Sequence, residues 1–374
     1  MKYFIVVATL VFPFSIYAQT YRNSSQGTNY SGNKAYVVPV VTKEYTIPAA
    51  SSPTPTYNNN SSKSSNYSVT PTPKSSSSGS SGLYVAPART ANAADYYYDG
   101  LKLHEKKDYE GAEACFTKAI ALFPQHAEAY YARGSARLFL GAAQASIQDY
   151  NQAIAINPKL PGAFFNRGLA KEYAKDFAGA EADFTTAIKE TPDDDGAYRN
   201  RSIVREAQQN DLGAAADLFR VTQLVPSDGA NWRKLGDLYR GQDLDDGALN
   251  AYDQAIRIDR KDLEARSGRG QVRHKTGDLK GAIKDFGAVL NQDPENEHAL
   301  FNRGIALIDA KEYRAAIVDL DALVRLRPDF PEGVAGRAIA KYQSDDKPGG
   351  CADMQKAQTL GLAMATDWIK NYCK

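Results

Sequence analysis

The chain has 374 residues, with 45 Lys and Arg against 44 Asp and Glu, for a formal net charge of +1. This balance excludes a bulk electrostatic field that would recruit nucleic acid or an anionic membrane. Hydrophobic residues make up 43% of the chain, which excludes wholesale disorder. Three cysteines and four histidines exclude a disulfide-stapled mini-domain and a four-cysteine zinc site, and they leave little material for a metal enzyme.

Residues 1–19 have the pattern of a secretory signal peptide. Lys2 supplies a positive start, an apolar run extends from Phe4 to Tyr17, and Ala18 is small enough to precede a cleavage site. The run is shorter than the ~18 residues that span a bilayer. We therefore expect export to the periplasm, the outer membrane surface or the medium, with no transmembrane span in the mature chain.

Residues 20–92 differ in composition from the rest of the chain. Ser, Thr, Asn and Pro fill 40 of these 73 positions, and six basic residues face one acid, Glu44. Such a segment cannot bury enough apolar surface to offset the entropy of ordering it. The sequence predicts a disordered N-terminal tether here.

From Ala93 onward the sequence repeats every 34 residues, with starts at 93, 127, 161, 195, 229, 263, 297 and 331. The eighth residue of each repeat is small: Gly100, Gly134, Gly168, Ser202, Gly236, Gly270, Gly304 and Ala338. The twenty-fourth residue is bulky: Phe116, Tyr150, Phe184, Leu218, Tyr252, Phe286, Leu320 and Met354. Two helices cross closely only where side chains are small, so each repeat is expected to form a pair of packed helices.

This pattern resembles the tetratricopeptide repeat family over residues 93–362. The resemblance implies an all-α fold in which antiparallel helix pairs stack into a right-handed superhelix with a concave groove. The departures are few: Arg266 replaces a bulky fourth residue, Arg260 replaces the proline that ends most repeats, and the eighth repeat ends without one. Residues 363–374 are expected to form a capping helix, because Ala365, Trp368, Ile369 and Tyr372 recur at helical spacing.

The three cysteines have different expected states. Cys351 begins the second helix of the eighth repeat and Cys373 ends the capping helix. If those helices are antiparallel, the two sulfurs meet at one end, so we predict a disulfide between them. Cys115 is predicted to be a buried free thiol.

Arginine at the seventh position occurs together with aspartate at the twenty-third. The six pairs are Arg133 and Asp149, Arg167 and Asp183, Arg201 and Asp217, Arg269 and Asp285, Arg303 and Asp319, and Arg337 and Asp353. The other two repeats lack both residues. We expect structural ion pairs within each repeat, since pairing with the preceding repeat would place Asp217 opposite Leu235. Removing Arg303 alone is expected to cost on the order of 3–5 kcal/mol, and removing both partners much less.

No catalytic, cofactor-binding or metal-binding motif is found in the sequence. The remaining candidate for function is a binding surface. In the tetratricopeptide repeat family, the residues at positions 2, 5, 6, 9 and 12 of each repeat line the groove. The residues expected to bind a peptide there are Tyr97, Tyr131, Phe165, Asn166, Leu169, Arg199, Asn200, Arg233, Lys234, Arg240 and His274. The stripe begins apolar and becomes polar and basic, which would suit an extended peptide with an apolar end and an acidic end.

These features together predict an exported, non-enzymatic adaptor that binds a protein or peptide partner in its groove. Two alternatives remain open. In the first, the tether and its tyrosines carry the binding and the helical part is a spacer. In the second, the chain is a regulatory subunit of an enzyme that lies on another chain.

Overall fold

A computed structural model of the chain describes residues 91–373. These residues form 17 α-helices and no strand. Their contacts divide between Pro192 and Asp193 into an N-terminal unit, residues 91–192, and a C-terminal unit, residues 193–373. The signal peptide predicted for 1–19 and nearly all of the tether predicted for 20–92 lie outside the described residues. Within 91–373, no helix has both the length and the apolar character needed to cross a bilayer.

The N-terminal unit contains three helix pairs. They are α1 (Ala93–Glu105) with α2 (Tyr109–Leu122), α3 (Ala127–Phe139) with α4 (Ala143–Ile156), and α5 (Ala163–Tyr173) with α6 (Phe177–Glu190).

The C-terminal unit contains five helix pairs and a last helix. They are α7 (Asp195–Ala207) with α8 (Asp211–Leu224), α9 (Gly229–Gly241) with α10 (Asp245–Ile258), α11 (Leu263–Lys275) with α12 (Leu279–Leu290), α13 (Glu297–Asp309) with α14 (Tyr313–Leu326), α15 (Pro331–Gln343) with α16 (Lys347–Thr359), and α17 (Met364–Tyr372).

The turn between the two helices of a repeat is the same in all eight repeats. Its fifteenth residue has a left-handed backbone, with φ between 58° and 86°. Only Gly141 and Gly277 among these eight residues are glycine. The residue that follows often caps the second helix, as where the Asp176 side chain accepts a hydrogen bond from the Gly179 N–H. The constant turn explains why every second helix begins at the seventeenth residue of its repeat.

The two helices of a repeat cross where the eighth residue meets the twenty-fourth. A Cβ added to Gly168 would lie 2.8 Å from the Phe184 ring, and one added to Gly270 would lie 2.8 Å from Phe286. Both rings are fully buried. The alternation of small and bulky residues in the sequence is therefore the packing contact itself.

Within each unit the pairs are stacked on their neighbours. The second helix of one repeat packs on the first helix of the next, and successive first helices also touch, as α1 touches α3 and α11 touches α13. The faces of the first helices thus lie on the inner side of each stack.

The last helix closes the C-terminal unit. Trp368 is buried and meets the Tyr342 ring edge-on, 5.1 Å between centroids. Cys351 and Cys373 form a disulfide with their Cα atoms 5.7 Å apart. The free thiol of Cys115 is half-buried rather than buried as predicted.

Candidate functional site

The six arginine–aspartate pairs all lie within single repeats. In each, the arginine Nη2 lies 2.5–2.7 Å from one carboxylate oxygen and Nε lies 2.7–3.0 Å from the other. The aspartates are 1–8% exposed. This is the bidentate geometry that charge-assisted pairs favour, and it joins the two helices of a repeat.

Two further contacts at these pairs were not expected from the sequence. In five of the six repeats the eleventh residue also binds the aspartate; these residues are Arg137, Lys171, Arg205, Arg273 and Lys341. In four repeats the arginine Nη1 also donates to residue 25 of the preceding repeat; the acceptors are Thr117, Asn151, Asp253 and Asp321. The basic residue at position 11 was a readable signal. The pairs therefore hold neighbouring repeats together and have a structural role.

Three aromatic residues predicted to line the groove are instead buried. Tyr97 and Tyr131 are each 1% exposed and Phe165 is 7% exposed. Each ring packs against residue 24 of its own repeat, with centroids 5.6–5.9 Å apart. The prediction was wrong because the buried face of the first helix is wider than positions 4, 8 and 11. Burial raises the pKa of Tyr97 and raises that of Tyr131 to about 12.

The predicted asparagines also make contacts within the protein. Asn200 is buried and donates a hydrogen bond to the Gly196 carbonyl of its own helix, 2.8 Å away, so it is not a groove residue. Asn166 is half-buried and donates to the Tyr131 hydroxyl. Only Asn166 of these two reaches the surface.

The first helices of the N-terminal unit carry a stripe of accessible apolar side chains. Tyr98 is 43% exposed, and Phe139 and Tyr173 are each 48% exposed, while Leu101 and Leu169 are half-buried. These five residues occupy positions 6, 9 and 13, which share one helix face. We call them the aromatic surface. Tyr98, Leu101 and Leu169 occupy positions 6 and 9, which the sequence predicted to line the groove; the aromatic residues at position 13 were the missed signal.

One ring of the aromatic surface packs on other rings, and an acidic side chain borders the surface. The Phe139 ring stacks on Tyr109 at 4.6 Å between centroids and meets the His104 ring edge-on. Glu172 precedes Tyr173 in α5, and burial raises the pKa of its carboxyl to about 7. The surface therefore has at least one ring, Phe139, that is held by other rings, and it borders an acid that changes charge near neutral pH.

The basic residues predicted for the groove lie in the C-terminal unit, and each has a partner there. Arg199 donates to Asn231 and Asp195. Arg240 donates to Gln271, the Tyr252 hydroxyl and Asp237. The remaining contacts are Arg233 with Asp262 and Glu264, Lys234 with Glu206, and His274 with Asp309.

These contacts change the electrostatic expectation for the groove. Most partners lie 28–35 residues away along the chain, in the neighbouring repeat. A carboxylate of a partner would have to displace one that is already bound, which removes most of the gain from a new ion pair. The expected basic stretch is thus an internally neutralised network.

Within residues 91–373, no cluster of three or more His, Cys, Asp or Glu side chains is arranged to hold a metal ion.

Comparison with known proteins gives a family and a fold. The tetratricopeptide repeat model matches residues 105–161, 165–230, 233–290 and 275–331. No curated protein sequence matches significantly.

Solved structures with a similar fold include YrrB, described as a tetratricopeptide repeat protein with an unusual peptide-binding site. It is 17% identical over 50% of this chain and 97% of its own, with a TM-score of 0.46. A tetratricopeptide repeat protein from Parabacteroides merdae is 15% identical over 67% of this chain and 100% of its own, with a TM-score of 0.45. PilF of Pseudomonas aeruginosa is 15% identical over 55% and 94%, with a TM-score of 0.43.

Proteins built from these repeats mediate protein–protein interaction, and the fold is typically a non-enzymatic scaffold. The 34-residue helix pairs and the family matches across residues 105–331 lead to one conclusion: the chain belongs to the tetratricopeptide repeat family.

Proposed function

We propose that the chain is an exported, non-enzymatic adaptor that binds a polypeptide partner on the aromatic surface of its N-terminal unit. Export rests on the signal-peptide pattern of residues 1–19. The partner is a peptide segment whose apolar side chains are spaced to contact successive first helices of the N-terminal unit.

The observation that supports this proposal is the exposure of three aromatic rings along successive first helices. Tyr98, Phe139 and Tyr173 leave almost half of their surface in contact with solvent, although nearby tyrosines of the same helices are fully buried. Aromatic side chains that are fixed but exposed are enriched at interfaces, where they bury a large area at low entropic cost. A partner would cover them.

The polar network of the C-terminal unit suits a different role. Arg199, Arg233 and Lys234 already bind neighbouring repeats. This polar network fixes the spacing between repeats. We therefore expect the binding energy to come from apolar contacts at the aromatic surface rather than from charge.

Site-specific photocrosslinking in the native host tests the proposal. A photoreactive residue replaces Phe139 or Tyr173 in the full chain, and the crosslinked partners are identified by mass spectrometry. Leu122 is the matched control, because it is 56% exposed in the same unit but lies on a second helix. We expect a partner at positions 139 and 173 that is missing at 122.

Three results would contradict the proposal. One is an equal yield of the same partner at position 122. Another is crosslinking only from a residue in 20–92, which would favour the tether. The third is no crosslinked protein from any position in the first helices. As a quantitative check, the double variant Phe139→Ala with Tyr173→Ala is expected to lower the amount of partner recovered with the full chain by tenfold or more. This corresponds to on the order of 2 kcal/mol for a hot-spot ring.

A further inference from the structure

The seventh repeat departs twice from the arrangement that surrounds the other ion pairs. Its eleventh residue is Leu307, where the other five paired repeats have Arg or Lys in contact with the aspartate. The residue that faces Arg303 from the preceding repeat is Gly287, where four other pairs have a polar acceptor. The first difference removes a basic partner of the aspartate, and the second removes an acceptor for the arginine Nη1.

These two changes leave one side of Arg303 open. Its Nε and Nη2 bind Asp319 as in the other pairs, but its Nη1 has no hydrogen-bond partner among the described residues. The Arg303 side chain is 27% exposed, against 13–17% for the other five paired arginines. A guanidinium edge with two free N–H donors thus remains accessible to solvent.

A cavity of about 350 Å³ lies at this position. Its lining is Ile283, Arg303, Leu307, Ala315, Val318 and Asp319. Val318 is 66% exposed, the largest value among the exposed large hydrophobic residues of the described chain. The cavity is lined by α12, α13 and α14 of the C-terminal unit, so it is distinct from the aromatic surface of the N-terminal unit.

The charge around the cavity favours an anion. Asp319 is neutralised by its bidentate contact with Arg303. Lys280 and Lys284 on α12 and Arg314 on α14 are all exposed, and none of the three has an ion-pair partner within residues 91–373. Within the described chain, an incoming carboxylate therefore meets the unpaired N–H donors of Arg303 Nη1, and the two neighbouring helices carry exposed basic residues without an ion-pair partner.

We propose that this cavity docks a segment of a partner polypeptide in which a carboxylate lies next to an aliphatic side chain. The carboxylate accepts hydrogen bonds from Arg303 Nη1, and the aliphatic group packs between Ile283, Leu307 and Val318. The site lies in the C-terminal unit, is independent of the aromatic surface, and gives the chain a second point of attachment.

The repeat itself supplies the variant that closes this site. Gly287→Asp places at that position the residue found in the equivalent places of two other repeats, Asp253 and Asp321, both of which bind their arginine. Gly287→Ala is the matched control: its Cβ lies 3.4 Å from Arg303 Nη1, and it adds no acceptor. Both variants replace a helix-interior glycine, so neither is expected to unfold the chain.

The experiment uses a random heptapeptide phage library as the probe. The library is depleted on the Gly287→Asp full chain and then selected on the unaltered full chain, and enriched peptides are titrated by fluorescence anisotropy. We expect a consensus with Asp or Glu beside Leu, Ile or Val. Affinity should fall about tenfold or more in Gly287→Asp and stay unchanged in Gly287→Ala.

Several outcomes would overturn this inference: no enrichment, a consensus without an acid, or enriched peptides that bind Gly287→Asp as well as the unaltered chain. Failure here leaves the aromatic surface untouched, because that proposal is judged by crosslinks from positions 139 and 173. Conversely, loss of those crosslinks would not alter the peptide titration at Arg303.

Discussion

Arg337 on α15 binds Asp353 on α16 through two hydrogen bonds of 2.7 and 2.8 Å, and the same guanidinium reaches Asp321 on α14. One side chain therefore connects three helices from two repeats. In a linear array, stability is the sum of repeat energies and nearest-neighbour interface energies. The arginine contributes to both, so its loss should be felt in two repeats.

The ion pairs differ in how much the aspartate depends on its arginine. Asp319 accepts hydrogen bonds only from Arg303 within the described chain, whereas Asp353 also contacts Lys341. Arg303→Leu leaves the buried carboxylate of Asp319 without a partner, so it should destabilise α13 and α14 by roughly 3–5 kcal/mol. Arg337→Leu should cost less. Native-state hydrogen exchange of the affected helices measures both.

The paired deletion is the control for this prediction. Arg303→Leu with Asp319→Leu removes the stranded charge, so the double variant should recover most of the loss. A double variant as unstable as Arg303→Leu, or equal costs for Arg303→Leu and Arg337→Leu, would show that the aspartate is not the source of the cost.

The turn between helices gives a clean test of backbone conformation. Gly277 has φ of +86° and no atom near the position of a Cβ, while Gly241 lies in a helix and is equally unobstructed. Gly277→Ala should destabilise the protein by about 1 kcal/mol through strain alone. Gly241→Ala should be neutral or stabilising by up to about 1 kcal/mol. The melting temperature should thus fall for Gly277→Ala and stay unchanged or rise for Gly241→Ala, and a fall for both variants would contradict the assignment.

Glu172 should make the N-terminal unit sensitive to pH. Burial raises its pKa from an ordinary value of 4.5 to about 7. The protonated carboxyl contributes full stability below about pH 4.5, and this contribution is lost as the pH rises through about 7. Glu172→Gln should therefore raise the melting temperature above pH 7 relative to the unaltered chain and have little effect below pH 4.5.

Glu206 is the comparison residue for that titration. It occupies the same repeat position as Glu172 but binds Lys234 at 2.6 Å. Glu206→Gln should give no stabilisation at any pH. A pH-independent effect of Glu172→Gln would mean that the substitution acts through packing rather than through the proton.

The disulfide should hold the last helix in place. Cys351 and Cys373 are 22 residues apart, and closing a loop of that length restricts the unfolded chain by about 3 kcal/mol. Cys373→Ser should remove the hydrogen-exchange protection of α17 before that of α15. Cys115→Ser, at a half-buried free thiol, should leave α17 unchanged; equal effects of the two variants would rule out the disulfide as the cause.

The fold was predictable because its determinants are local and repeated. Gly168 and Phe184 illustrate this: a small and a bulky residue 16 positions apart suffice to place two helices in contact. The pairing of Arg337 with Asp353 was equally readable, since both residues are present or absent together. The left-handed turn was not, because Lys107, Lys175 and similar residues carry no conformational signal there.

The binding surface was predicted less well because its residues depend on contacts between repeats. Whether Tyr131 is buried and Phe139 exposed depends on how α3 rests on its neighbours, which periodicity does not specify. The charge of Lys234 appeared free in the sequence, but its partner Glu206 lies 28 residues earlier. Only the three-dimensional stacking brings such residues together.

The bridge from residue 7 of one repeat to residue 25 of the repeat before it makes the repeats that have this bridge transferable segments. A tandem duplication of residues 127–160 would bring a new Arg133 opposite the existing Asn151, and the new Asn151 would meet Arg167. Such a duplication adds one whole repeat and keeps the arginine bridge on both sides of it. Repeat five, with Leu235 at the seventh position, lacks the arginine that such a junction requires.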